Sequence, residues 1–137
     1  MSSILMYIKY NKKGSAIKMA VAEITNVDLV RNEAKELVDA VAVDVTDGAK
    51  VDYTNRSDGR ILLLLTNSNA SEAKKATIVQ GNSLQGVEDL EISIEANKTV
   101  AIVVESGKFM NVSGDNKGYV IIKGESADIK VQAIELP

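Results

Sequence analysis

The side chains best suited to chemistry in this chain are carboxylates, and they fall into three groups. Asp44, Asp47 and Asp52 lie close together. Ser113-Gly114-Asp115-Asn116-Lys117-Gly118 has the outline of a calcium loop. Glu88, Asp89 and Glu91 form an acidic patch at the start of a strand-like run. Calcium takes about six to eight oxygens, including a bidentate carboxylate at a fixed spacing. No Asp-x-Asp-x-Asp-Gly series with a distal glutamate is present, so the first two groups read as solvated turns rich in local Asn and Asp hydrogen bonds. A glycosidase pair needs two carboxylates facing each other across a cleft. With one phenylalanine, four tyrosines and no tryptophan, the chain also has little to stack on a sugar.

Histidine and cysteine are absent. That removes thiol nucleophiles, disulfides, zinc–cysteine sites, histidine general bases and every Ser-His or Cys-His triad. Gly81-Asn82-Ser83-Leu84-Gln85-Gly86 lacks the Gly-Lys-Ser/Thr ending of a phosphate loop and reads as a connection. Asn55-Arg56-Ser57, Asn69-Ala70-Ser71, Asn97-Lys98-Thr99 and Asn111-Val112-Ser113 match the glycosylation pattern, but no export signal accompanies them, so they read as turn composition. The expectation is a non-enzyme with no catalytic residues, no cofactor and no metal site.

Charge is divided unevenly. The first 18 residues carry Lys9, Lys12, Lys13 and Lys18 and no acid, while the rest sets 12 basic residues against 19 acidic ones, leaving −7. A body of that sign does not attract nucleic acid through general electrostatics. The longest apolar run, Ile61 to Leu65, is far short of the ~20 residues that span a bilayer. Neither nucleic acid nor membrane is therefore an expected partner.

These residues need a scaffold, and 137 residues amount to one domain. From Ala40 onward the hydrophobic pattern has period two, with short runs punctuated by Asp47-Gly48, Asp58-Gly59, Asn67-Ser68-Asn69, Gly81-Asn82, Ser106-Gly107 and Ser113-Gly114. Leu90-Glu91-Ile92-Ser93-Ile94 and Ile129-Lys130-Val131-Gln132-Ala133 alternate most cleanly. Such a series predicts a mainly β protein, an antiparallel, jelly-roll-like β-sandwich. The core is expected from Ile61, Leu63, Ile78, Ile92, Ile94, Ile102, Val104, Ile121, Ile129 and Val131. Ile61 to Leu65 lacks alternation and reads as a central strand covered on both faces.

Two divisions are expected, a basic arm over residues 1–18 and a single sandwich domain over 19–137. Within the domain, Val27, Val30, Ala34, Leu37, Val38 and Val41 recur at helical spacing. One short N-terminal helix over about 27–38 is one reading. An extended strap is the other, because valine and asparagine are indifferent helix formers. The arm offers a strand-like stretch, Ser3 to Tyr10, and then a turn or linker at residues 11–15. Ile4, Met6, Ile8, Lys9, Lys12, Lys13 and Lys18 are its candidate contacts with a capsid or a neighbouring subunit. A flexible tail, or a leader upstream of a start at Met19, is the alternative reading of the same residues.

Asp58-Gly59-Arg60-Ile61-Leu62-Leu63-Leu64-Leu65-Thr66-Asn67, then Ala76-Thr77-Ile78-Val79-Gln80-Gly81, then Gly86-Val87-Glu88-Asp89-Leu90 follow one another along the chain. Val103-Val104-Glu105-Ser106-Gly107-Lys108-Phe109 and a closing Ala133-Ile134-Glu135-Leu136-Pro137 complete the series. This order, over about residues 20–137, resembles the small β-sandwich decoration or cement proteins of tailed bacteriophages and prophages. Glu105 to Phe109 and Glu135 to Pro137 are its most specific parts. The resemblance implies a structural virion protein on the outside of the phage head, made in the bacterial host cytoplasm. Its partner would be the major capsid protein, and it could also form a homo-oligomer such as a trimer. A tail or baseplate part, or another non-catalytic β-sandwich binding module, is the alternative. The basic lead and the segment 27–38 depart from the pattern.

Overall fold

The computed structural model describes residues 8–10, 16–18 and 21–137. The protein is mainly β, with 42% of residues in strands and 5% in helices. Strands β1 (Ile8–Tyr10) and β2 (Ala16–Lys18) form an antiparallel hairpin, with Ile8 opposite Lys18 and Tyr10 opposite Ala16. The other strands are β3 (Ala22–Ile24), β4 (Asn26–Asp28), β5 (Val41–Ala42), β6 (Ala49–Asp52) and β7 (Ile61–Asn67). They continue with β8 (Lys74–Ile78), β9 (Leu90–Ile94), β10 (Thr99–Ile102), β11 (Tyr119–Gly124) and β12 (Ile129–Glu135). A single α-helical turn, α1 (Ser106–Phe109), lies between β10 and β11.

Two five-stranded sheets pack against each other. One runs β10-β7-β12, with β4 and β5 sharing the remaining side of β12, and the other runs β3-β6-β11-β8-β9. The expected sandwich is present, but its sheets are mixed. β3 pairs parallel with β6, and β4 pairs parallel with β12. The cause is local: Thr25 alone separates β3 from β4, so one extended run is split between the two sheets and keeps one direction in both. The Asn26 side chain closes this side by donating from Nδ2 to the Asp52 carbonyl of the opposite sheet at 3.0 Å.

The core is filled from alternate positions. Ile61, Leu63, Leu65, Ile78, Ile94, Ile129 and Val131 are all inaccessible to solvent. Ile92 and Ile102 are only half-buried at its margin. Ile121 is buried, but Val120 and Ile122 on either side of it are the members of the inner cluster. The four-residue apolar run of β11 gives no alternation to read, and the inward face is set by pairing Val120 with Val51 and Ile122 with Ala49. In β7 the alternation hidden in the leucine run emerges, since Ile61, Leu63 and Leu65 are buried while Leu62 and Leu64 are half-buried.

Segment 27–38 is the strap, not the helix. Val27 lies in β4 opposite Ile134, and residues 33–40 have no regular secondary structure. Asn32 sits at φ 64, in the left-handed region that interrupts a right-handed helix. Gln132 Nε2 donates to the Val38 carbonyl at 2.9 Å and fixes the strap over β12, beside Leu64, the cross-strand partner of Gln132. Val30, Leu37 and Val38 remain exposed.

Candidate functional site

Among the concave regions of the described residues, two differ in place and in chemistry. The first, about 410 Å³, is lined by Asp28, Arg56, Arg60, Glu135 and Leu136 among others. Its centre is an ion-pair clasp in which Arg56 Nη1 donates to Glu135 and, at 3.1 Å, to Asp28. Burial alone lowers the Arg56 pKa, but the hydrogen bonds and charges of Glu135 and Asp28 outweigh it and leave the pKa raised. The Leu136 N–H donates to the Arg60 carbonyl at 2.7 Å. The sequence Glu135-Leu136-Pro137 is thereby tied down, with β4 and β12 held side by side, and the clasp is accounted for as structure.

The second region is a cleft of about 300 Å³ on the opposite side of the sandwich. There β9 pairs only with β8 and β10 only with β7 among the described residues, so both strands keep an open edge. The two edges are joined through residues 95–98 and lie in different sheets. Asn67 braces them near that link, donating from Nδ2 to the Ile94 carbonyl at 2.9 Å. At the other end the core opens: along β9, exposure rises from 0% at Ile94 to 36% at Leu90. Leu90, Ile102, Val104 and Phe109 supply apolar surface there, and Glu88, Asp89 and Glu105 supply acid.

The connection from β8 to β9 overhangs the cleft and is firmly held. Gly81 N–H donates to the Lys108 carbonyl at 2.9 Å, and Ser83 Oγ donates to the Gly107 carbonyl at 2.7 Å. Asn82 accepts from the Val112 N–H at 2.7 Å and donates to the Ser113 carbonyl at 3.0 Å. Gly86 is required by close approach, because a Cβ there would lie 2.0 Å from the Gly81 carbonyl oxygen. This pinned loop carries Leu84 and Val87, which are 101% and 76% exposed. Glu105-Ser106-Gly107-Lys108-Phe109 forms the turn that anchors the loop and buries Phe109. A partly apolar cleft between two open strand edges, beside a pinned loop that carries exposed Leu84 and Val87, is equipped to take up an extended polypeptide.

The acidic groups read from the sequence are spread apart. Glu88 and Asp89 reach the cleft, where Asp89 Oδ1 also accepts from the Gln80 N–H at 2.8 Å. Glu91 stands on β9 beside Lys75. Asp44 and Asp52 serve turns, accepting from the Thr46 and Thr54 N–H groups at 2.8 Å. No group of three or more metal-ligating side chains exists among the described residues. Of the arm residues, Ile8 and Lys9 lie on β1 and Lys18 on β2, while Ile4, Met6, Lys12 and Lys13 fall outside the described residues. The sequence reading found the acidic patch at Glu88–Glu91 but not the cleft, since the cleft arises only where β9 and β10 part into different sheets. Exposed Leu84 and Val87 within a glycine-bounded loop were the available signal. No protein-family model, curated protein or solved structure matches this chain.

Proposed function

We infer that this protein is a structural part of a phage head, bound to the outer surface of the capsid, where it stabilises the lattice. The observation that carries this reading is the ordered series of sequence runs from Asp58 to Pro137, with Glu105 to Phe109 and Glu135 to Pro137 the most specific. The fold supports it, because a small β-sandwich is what the resemblance implies. The absence of histidine and cysteine from the sequence suits a passive part. Many weak sites repeated over a lattice give strong retention without any one contact being strong.

The test is made on particles. Particles lacking the protein should still assemble but lose their contents at lower temperature or higher internal pressure, and added protein should restore retention. Labelled protein found only at the tail tip of purified particles would overturn the head assignment in favour of a tail or baseplate part.

A further inference from the structure

We propose that the basic N-terminal segment of one copy docks in the acid-rimmed cleft between β9 and β10 of a second copy, joining copies head to tail. Among the described residues β1 and β2 pair with no third strand, and two strands alone are marginally stable in water. The cleft offers a partner, with an open backbone edge on each side and an apolar floor formed by Leu90, Ile102 and Phe109. Adding a strand to such an edge draws affinity from main-chain hydrogen bonds, and the apolar side chains of the added strand fill the cleft. Ile4, Met6, Ile8 and Ile17 are among the apolar residues of the segment.

Charge supplies the direction of the pairing. The segment carries four lysines and no acid. Around the cleft stand Glu88, Asp89 and Glu105, against Lys108. Lys108 faces Glu105 at 3.7 Å, as an exposed and therefore weak ion pair, and the surround keeps a net negative charge.

Chain length makes a contact of the hairpin strands with β9 intermolecular. β3, which follows the segment, and β9 are opposite edges of one sheet, four strand steps apart or roughly 19 Å. From Lys18 to Val21 the chain spans at most about 10 Å. A strand of this hairpin therefore cannot lie alongside β9 of its own copy. Donor and acceptor surfaces on opposite edges make a head-to-tail interface, which closes into a ring where the rotation permits.

The experiment uses the full chain and light scattering behind size exclusion, with far-UV circular dichroism to confirm folding. Wild type at low salt is expected at a multiple of the 14.7 kDa chain mass. Lys9→Glu/Lys12→Glu/Lys13→Glu and, separately, Glu88→Lys/Glu105→Lys should each weaken association by about tenfold or more. Combining the two sets restores opposite charges and should recover association. A wild-type chain that stays monomeric up to about 1 mM overturns the proposal. So does either charge reversal leaving association unchanged, or a folded combined variant that fails to recover. The assay contains no capsid, so a monomer that still binds shells refutes the pairing and leaves the head assignment standing.

Discussion

Replacing Asn67 tests how the open side of the sandwich is held. Asn67 is 0% exposed at the end of β7. Its Nδ2 donates to the Glu72 and Ile94 carbonyls, each at 2.9 Å, and its Oδ1 accepts from the Asn69 N–H at 2.9 Å. The Ile94 bond crosses from one sheet to the other. Alanine removes all three bonds, each worth ~0.5–1.5 kcal/mol net, and adds a small void, so a loss of about 3 kcal/mol is expected. For a domain of this size 1 kcal/mol moves Tm by about 3–5 °C, giving a drop of about 10–15 °C. Asn67→Asp keeps the shape and the acceptor but aims a carboxylate at two carbonyl oxygens. It should be at least as damaging at pH 7, and less so in acid, where the protonated carboxyl regains a donor. Thermal melts by circular dichroism, with urea titrations for free energies, measure both variants. A Tm for Asn67→Ala within about 3 °C of wild type would refute the idea that this side chain ties β9 to the sheet of β7.

Four further outcomes are expected. Leu63→Ala, at a fully buried position in β7, should cost ~3–5 kcal/mol by urea denaturation. Gly86→Ala forces the β8–β9 loop off the Gly81 carbonyl, and should cost ~1–3 kcal/mol and raise amide exchange across residues 81–87. Asp128 accepts from Asn69 Nδ2 and Ser126 Oγ, which holds its pKa below the ordinary 3.8. Its contribution is thus complete above pH 3.8 and is lost as pH falls through the lowered value, so urea midpoints of wild type and Asp128→Asn should converge in that acid range. A chelator should leave the melting temperature unchanged, because no ligand cluster exists among the described residues, and a large drop would show that the aspartate-rich turns hold an ion.

The sandwich was legible because its signals are local. Turn residues at Asp47-Gly48 and Asn67-Ser68-Asn69 delimit strands, and period-two alternation in β9 and β12 marks their inner faces. The segment 27–38 misleads because its apolar spacing fits a helix, while its use is decided at a distance: Val27 pairs with Ile134 and Val38 is held by Gln132. The face of Ile121 was equally hidden, since an all-apolar run carries no phase until Val51 and Ala49 supply one. Parallel pairing was illegible for the same reason, as it depends on partners far along the chain. Of the cleft, only the acids were visible in sequence. Its apolar floor is assembled from β9, β10 and α1, and none of these alone encodes an opening.

The placement of β12 has a consequence for the order of events during synthesis. It pairs with β7 on one side and with β4 and β5 on the other, and it leaves the ribosome after the other eleven described strands. β4 meets its partner more than a hundred residues further along the chain. One sheet therefore cannot be completed until β12 has emerged, and β4 and β5 must wait unpaired for the strand that joins them to β7. Contacts of such sequence separation slow folding, and the waiting edges are exposed to other nascent chains. A chain stalled shortly before Ile129 would possess the other described strands yet lack the one that unites this sheet.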